Sequence, residues 1–431
     1  MAMIDPQNYF RLPFTLTDNA LSWLEVTTAC NLHCEGCYRD TRSAEGHKSL
    51  EEISAELDVF ARERKSDAMS LAGGDPLVHP QIVEIISMIS QRGWKPIINT
   101  NGELLTPELL RQLKRAGVYG FTFHIDTSQK RRDAPGVRTE AELNALRLKL
   151  ARMLAAEGGI CCAFNQTVTE DTLAQVPDVV RWAQQHPDIV HTVVFIIYRE
   201  PDLLRMGDYD FFAAGKKIPV KEHYKDPKAW GGRRAVKAPE VIEQIRSVDP
   251  HYEPCAYLGG TANPRSTKWL LGNRLANRRR GFGYYSPRVM EILQYVKHAF
   301  TGTWLAYSRP EVLASGRMTL AGFALVDPQI RAAAWRFLRN GLRRPRELFQ
   351  RVYMQSLLVI QPIDLLEDGR ADMCDGCPDI TVHKGKLFWS CRLEEIKHYG
   401  HFVTAQPRTK DQSAEKAEGT RQPEPVHASP N

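Results

Sequence analysis

Three cysteines stand close together near the start of the chain, in the segment Cys30-Asn-Leu-His-Cys34-Glu-Gly-Cys37. The short apolar run before them, residues 21–27, is predicted to be a β-strand, so the cysteines follow its carboxyl end. Three thiolates on one loop can each hold one iron of a cubane iron–sulfur cluster and leave the fourth iron without a protein ligand. Closed structural zinc sites use four protein ligands. The pattern therefore favours a cluster, with a zinc site completed from elsewhere, or three unrelated thiols, as alternatives.

A second cysteine group lies near the other end, as Cys374-Asp-Gly-Cys377 followed by Cys391. A Cys-x-x-Cys pair in a polar, glycine-containing turn is typical of metal-binding knuckles, and a distant third thiol can complete such a site. Cys255 is a candidate fourth ligand; a buried inert thiol or a hydrogen-atom donor are the other roles we consider for it. The alternative for the whole group is a structural zinc site.

The elements that position the first group alternate between strand-like and helix-like segments. The predicted strands are residues 21–27, 68–72, 95–99, 120–125, 159–165 and 191–197. The predicted helices are residues 50–63, 80–92, 107–116, 140–156 and 172–186. This alternation predicts a parallel sheet with right-handed crossovers, which gathers reactive side chains at the carboxyl ends of the strands.

Further motifs stand at those strand ends. Gly73-Gly74-Asp75-Pro76 ends the second strand, Asn99-Thr100-Asn101-Gly102 the third and His124-Ile125-Asp126 the fourth. Together with the C-x3-C-x2-C cysteines, they resemble the radical S-adenosylmethionine (radical SAM) superfamily in order and spacing over residues 20–200. The resemblance implies an α/β fold: a partial (β/α)6 TIM-like barrel of radical SAM type.

The resemblance also implies cofactors and a reaction. Cys30, Cys34 and Cys37 would hold a catalytic [4Fe–4S] cluster. Gly73, Gly74 and Asp75 would contact S-adenosylmethionine, with Asn101 and Asp126 as further contacts. The reduced cluster would cleave the cofactor to a 5′-deoxyadenosyl radical, and an external electron donor of the flavodoxin or ferredoxin type would be required.

The C-x2-C-x13-C spacing of Cys374, Cys377 and Cys391 is similar to the auxiliary-cluster region of the molybdenum-cofactor GTP cyclase, and more loosely to the Twitch form of the SPASM domain. It implies a second [4Fe–4S] cluster in a small C-terminal segment. This chain differs from that cyclase in carrying a basic region before the second cysteine group.

The basic region is the main feature of the charge distribution. The chain has 431 residues and a net charge of +6, yet residues 265–351 hold 17 Lys and Arg against four acidic residues. The clusters at 278–280 and 343–346 are dense enough to bind phosphate. In the predicted helix 329–344 an apolar stripe is surrounded by arginines and consists of Ile330, Ala334, Phe337, Leu338 and Leu342. Such a helix contacts a membrane surface or packs its apolar side on the core. Nucleic-acid binding is not favoured, because lysine is scarce and no RNA-binding motif is present.

The expected organisation has six parts: an N-terminal arm (1–19), the radical SAM core (20–200), a loop-rich connection (201–265), a basic, mostly helical substrate region (266–355), the auxiliary cluster segment (356–403) and a disordered tail (404–431). We find no export signal or membrane-spanning run, so a cytoplasmic location is expected, with peripheral contact at the inner membrane surface as a variant.

The expected function is a radical SAM enzyme acting on a small-molecule substrate that is phosphorylated or amphipathic, such as a lipid. The alternatives are a maturase for a ribosomally made peptide and, without catalysis, an iron–sulfur or zinc scaffold or electron-transfer protein.

Overall fold

The computed structural model describes residues 4–35, 37–39, 46–198, 209–219 and 234–408. Its main sheet has 11 strands, in the order β1-β10-β11-β13-β7-β6-β5-β4-β3-β2, with β12 paired to β11. These strands are β1 (Phe10–Arg11), β2 (Leu21–Thr27), β3 (Ala68–Gly73), β4 (Lys95–Thr100), β5 (Gly120–His124), β6 (Cys161–Val168), β7 (Thr192–Ile197), β10 (Ala256–Leu258), β11 (Trp269–Ala276), β12 (Gly281–Tyr284) and β13 (Tyr353–Ile360). Smaller sheets hold β8 (Tyr209–Ala213), β9 (Lys216–Ile218), β14 (Asp364–Leu365), β15 (Ala371–Asp372), β16 (Ile380–His383), β17 (Lys386–Trp389) and β18 (Thr404–Pro407).

The helices of the described residues are α1 (Leu50–Glu63), α2 (Ile82–Gln91), α3 (Pro107–Ala116), α4 (Glu140–Glu157), α5 (Glu170–Leu173), α6 (Val176–Gln185), α7 (Ala238–Val248), α8 (Pro287–Thr301), α9 (Pro310–Leu313), α10 (Gly316–Phe323), α11 (Pro328–Arg343) and α12 (Leu393–Tyr399). None of them is long and apolar enough to span a membrane.

Strands β2 to β7 lie side by side in chain order, and every neighbouring pair is parallel. This confirms the predicted partial barrel, which remains open because β2 is an edge strand. The helix boundaries were predicted well where the sequence carries local helix-start signals. Ser49 and Glu52, for example, form a capping box at the start of α1. The predicted helix 172–186 is divided, because Pro177 fits the first turn of a new helix better than a helix interior.

The later part of the chain extends this sheet. β13 pairs in parallel with β7, and β11 pairs antiparallel with β13 over eight residues. Residues 269–284, which we assigned to the helical region, therefore form strands. The helices of that region begin only at Pro287. Residues 356–360 likewise belong to the main sheet rather than to the cysteine segment.

The two faces of the parallel strands differ in chemistry. Leu24, Met69 and Phe121 belong to the apolar core that the helices cover. Because side chains alternate along a strand, their neighbours point to the other face. That face carries polar groups at the cysteine end, including Glu25 on β2 and Asn165 on β6.

The first residues of the segment expected to be disordered, 404–431, form a strand instead. Thr404–Pro407 forms β18, which pairs antiparallel with β8. Residues 409–431 lie outside the described residues.

One buried ion pair joins α4 to the end of β5. Glu140 and Arg147 are both fully buried, and Arg147 binds the Glu140 carboxylate and the carbonyl oxygen of Ile125. Glu140 Oε1 also accepts hydrogen bonds of 2.8 Å from the backbone N–H and the hydroxyl of Thr127. The pair therefore holds the segment that leads into Asp126.

We expect Glu140→Gln to destabilise the fold by roughly 3–5 kcal/mol, because it leaves the Arg147 charge buried without a counter-charge. The matched control is Glu108→Gln, which removes an exposed carboxylate paired with Arg111 on α3. Urea unfolding measures both variants. A Glu140→Gln variant as stable as the control would contradict this role.

Candidate functional site

The loop that carries Cys30, Cys34 and Cys37 leaves the carboxyl end of β2, and all three thiols are free and partly exposed. Its start is tied to the end of β3: Gly74 N–H donates to Thr27 O at 2.8 Å, and Asp75 N–H donates to Ala29 O at 3.0 Å. Further along, Cys34 forms a β-bridge with Gln129, after β5. Two strand ends therefore fix the loop.

The glycines of the second motif are required by this close approach. A β-carbon on Gly73 would lie 2.2 Å from Thr27 O, and one on Gly74 would lie 1.8 Å from Ala29 O. Gly73 also has a φ of +113°, which side-chain-bearing residues rarely adopt. The sequence predicted these glycines as cofactor contacts. The structure gives them a second role, which is to let the two loops meet.

Asp75 connects the same motif to the end of β4. Its buried carboxylate accepts hydrogen bonds from Thr100 Oγ1 at 2.8 and 2.9 Å, from Asn101 N–H at 2.8 Å and from Leu77 N–H at 2.9 Å. Burial raises the pKa of Asp75, and these donors oppose that rise. Both carboxylate oxygens are thus occupied by protein groups, and Asp75 positions the loop that carries Asn101.

Asn101 then links β4 to the cysteine loop. Its Nδ2 donates to Asn31 Oδ1 at 2.8 Å, and Asn31 Nδ2 donates to Glu103 Oε2 at 2.6 Å. Arg132 binds the same carboxylate at 2.8 Å. Asn31 and Glu103 are site residues that the sequence reasoning missed, although Asn31 stands directly beside Cys30.

Asp126 is a second buried carboxylate at this end of the sheet. Its Oδ2 lies 2.8 Å from His124 Nε2 and 3.0 Å from Thr167 N, and its Oδ1 accepts from Ser128 N–H at 3.0 Å. Burial alone would raise the pKa of Asp126, but His124 and the hydrogen bonds together lower it well below its ordinary value. Asp126 is therefore an ionised group that orders the segment facing the cysteines.

The three thiols lie close enough to influence one another. Burial, Asp126, Cys37 and Cys30 raise the pKa of Cys34 to about 12. Among the described residues no three His, Cys, Asp or Glu side chains meet closely enough to hold a single metal ion. A cubane requires a wider spacing, because each thiolate must reach a different iron. Three free thiols on one loop, partly open to solvent, fit such a cluster with one iron left open.

Two thiols of the second cysteine group lie close together. Cys374 and Cys377 are buried in one small apolar cluster with Ile380. Hydrogen bonding to Cys374 and burial raise the pKa of Cys377 well above its ordinary value, and Asp379 and Cys391 add to this rise. Burial raises the pKa of Asp379 to about 7, while the neighbouring Arg64 lowers it. Cys391 contributes to the pKa of Cys377, but among the described residues these three thiols do not meet closely enough to hold a single metal ion. Asp379 is an acidic neighbour that the sequence did not indicate.

Residues distant in sequence hold the turn at residues 374–377, which we call the cysteine knuckle. Arg64, which caps the end of α1, donates to Cys377 O at 3.0 Å and to Leu21 O at 3.0 Å. Asn19 Nδ2 donates to Gly376 O at 3.0 Å. No local motif marks either residue, so only the fold identifies them.

Cys255 is not brought to the other three thiols. Its fully buried side chain belongs to a different apolar cluster, and its Sγ donates to Leu271 O at 3.3 Å. The rise in its pKa comes from burial, without a contribution from another cysteine. The structure supports the inert buried thiol rather than the predicted fourth ligand.

The two cysteine groups lie at opposite ends of β2. The first follows Thr27, at the carboxyl end, whereas Arg64 ties Cys377 to Leu21, at the amino end. Seven residues of extended strand separate these ends by roughly 20 Å. The two groups therefore form separate sites.

Comparison with known proteins identifies the class of this chain. The profile of the Radical SAM superfamily matches residues 24–183. A GTP 3',8-cyclase of Synechococcus sp. (strain CC9902) is 33% identical over 253 residues, which cover 57% of this chain and 67% of the cyclase. An AdoMet-dependent heme synthase of Methanosarcina barkeri is 27% identical over 212 residues, or 46% of this chain and 58% of the synthase.

The chain belongs to the radical SAM superfamily of enzymes, whose members use a [4Fe–4S] cluster and S-adenosylmethionine. It spans about half the length of heme synthases that it matches, with 58%, 48% and 45% of three of them covered. A solved structure of Streptococcus suis SuiB bound to S-adenosylmethionine is 15% identical, with a TM-score of 0.34 over 55% of this chain and 54% of that chain.

The turn at Gly376 gives a test of the knuckle. Gly376 has a φ of +67°, and a β-carbon there would lie 2.1 Å from Phe14 O. Gly385 has a similar φ of +74° with open space around it. We expect Gly385→Ala to cost about 1–2 kcal/mol from backbone strain alone. Gly376→Ala should cost roughly 1–3 kcal/mol more, because the N-terminal arm must move. Urea unfolding compares the variants, and equal losses would contradict the close contact.

Proposed function

We propose that this chain is a radical SAM enzyme with two [4Fe–4S] clusters that acts on a phosphorylated or amphipathic substrate, lipid being our first choice. Cys30, Cys34 and Cys37 would hold the catalytic cluster. The observation that carries this proposal is the set of three free thiols on one loop, fixed by the ends of β3 and β5. When bound and reduced, the cluster would supply the electron that cleaves S-adenosylmethionine to methionine and a 5′-deoxyadenosyl radical.

The chain's own residues would position that chemistry. Gly73 and Gly74 would present backbone to the cofactor, as they already present it to the cysteine loop. Asp75 would fix Asn101, and Asp126 would order the segment beside Cys34. The electron donor we propose is a flavodoxin or ferredoxin, and the location is cytoplasmic.

The face of the parallel sheet opposite the helix-covered core carries buried polar side chains, which favours a substrate with a polar group. Glu25 is buried there, and burial raises its pKa above the ordinary value. Among the described residues Asn165 Oδ1 is buried without a hydrogen-bond donor. A buried acceptor without a donor is costly, so a polar ligand that donates to it would be favoured.

The proposed second cluster would be held by Cys374, Cys377 and Cys391. The side chains of Arg64 and Asn19 donate hydrogen bonds to backbone carbonyl oxygens of the turn at residues 374–377, so they would keep the thiols in place. Roughly 20 Å of strand separates this site from the first. A substrate contacting both clusters would therefore have to reach along the sheet, which favours an extended molecule.

We expect Cys34→Ala to abolish formation of 5′-deoxyadenosine while leaving the fold intact, because the thiol contributes little to the core. Cys255→Ala is the matched control and should retain activity, since its thiol lies in a separate apolar cluster and donates to Leu271 O. Both are measured after anaerobic reconstitution with dithionite. Persistent 5′-deoxyadenosine in the Cys34→Ala variant would contradict the assignment.

We expect Cys377→Ala to lower the iron content by about four atoms per chain while sparing some cofactor cleavage without substrate. The reason is that the two cysteine groups are separate. Iron analysis alongside the deoxyadenosine assay distinguishes the sites. Unchanged iron content would argue against the second cluster without affecting the first.

A further inference from the structure

Exposed apolar side chains are concentrated in the basic region. In the described residues, all large apolar side chains that are exposed lie between residues 292 and 349, except Leu16 and Leu104. Exposed apolar patches of this kind mark interaction surfaces in folded proteins. The helix α11 and the turns on either side of it carry half of them.

Helix α11 is apolar on two opposite sides. Ile330 and Ala333 are buried in the core beneath it. Trp335, Leu338 and Leu342 are spaced for one face and are 62%, 48% and 77% exposed. The stripe predicted from the sequence is therefore divided between the two sides, and packing on the core does not account for the outer one.

The turns at both ends continue the outer side. Leu325 precedes α11 and is 87% exposed, and Phe349 follows it and is 83% exposed. Arg331 Nε donates to Ala324 O at 3.1 Å, which holds the first turn against the helix. The α11 strip, as we call this surface, runs along a helix about 24 Å long and consists of Leu325, Val326, Trp335, Leu338, Leu342 and Phe349.

Positive charge surrounds the α11 strip. Residues 316–346 contain seven arginines and one acidic residue, Asp327, which is buried as the N-cap of α11. In the described part of the chain, Arg339, Arg343 and Arg346 have no carboxylate partner. By contrast Arg280 binds Glu347, so the arginine cluster at 278–280 is partly neutralised.

We propose that the α11 strip docks on an anionic lipid bilayer, with α11 parallel to the membrane plane. Apolar side chains including a tryptophan would enter the boundary between headgroups and acyl chains, and the flanking arginines would bind anionic headgroups. Charge complementarity favours an anionic bilayer, since a neutral apolar partner would leave the arginines without an anionic group to bind. A nucleic acid would leave the leucines in water.

The test is flotation of the full-length chain with vesicles of equal parts phosphatidylglycerol and phosphatidylcholine, against phosphatidylcholine alone. We expect binding to the anionic vesicles and much weaker binding to the neutral ones. Trp335→Ser/Leu338→Ser/Leu342→Ser should weaken binding at least about tenfold, because the apolar contact is lost. Leu16→Ser/Leu104→Ser, which removes the two exposed leucines elsewhere, should bind like the wild type.

A second pair of variants tests the charges. Arg339→Ser/Arg343→Ser should weaken binding to anionic vesicles about fivefold for each arginine removed. Arg181→Ser, at an exposed arginine on α6, should have no effect. Equal binding to neutral vesicles, or wild-type binding by the α11 variants, would overturn the proposal.

The oligomeric state in the absence of vesicles is measured by light scattering. A dimer that the triple variant separates, with no vesicle binding, would identify a second copy of the chain as the occupant and would also overturn the proposal. Vesicle binding needs neither cluster, so these results are independent of the proposed radical chemistry.

Discussion

The close approach of two backbone segments, at the ends of β2 and β3, is the constraint on which the candidate site depends. Gly73 and Gly74 have no β-carbon, so the main chain after β3 can contact Thr27 and Ala29 directly. Asp75 then extends this contact to β4 by accepting hydrogen bonds from Thr100 and Asn101. Three strand ends are thereby joined, and the cysteine loop leaves from β2, at the edge of that junction. A rigid support of this kind is what a cluster-binding loop requires, because ligands must be held in place by their surroundings.

The parallel half of the fold and the first cysteine site could be predicted from the sequence because their signals are local. The capping box at Ser49, Pro107 at the start of α3 and the glycines after β3 all act within a few residues. Because β2 to β5 lie side by side in chain order, the motifs that follow them occur in the same order along the edge of the sheet. Cysteine spacing likewise predicted that Cys374 and Cys377 lie together, and a single turn places both in one apolar cluster. A shared cluster with Cys391 stays a prediction.

The rest depends on contacts between distant residues, which spacing does not reveal. β11 was missed because its longest pairing, over eight residues with β13, joins segments that are far apart in the chain. Arg64 carries no local signal, although its guanidinium holds the second cysteine knuckle. The role of Cys255 was open for the same reason, since only the fold shows that it lies in another apolar cluster. In α11, helical periodicity identified an apolar helix, but the two sides could be told apart only once its packing was known.

The central claim is that the two separate cysteine groups hold two clusters, of which the first cleaves S-adenosylmethionine. The most direct measurement is iron and sulfide analysis of anaerobically reconstituted protein, combined with a 5′-deoxyadenosine assay under strong reductant. We predict about eight irons and eight sulfides per chain, with 5′-deoxyadenosine formed. Protein with that full iron content and no 5′-deoxyadenosine would contradict the account.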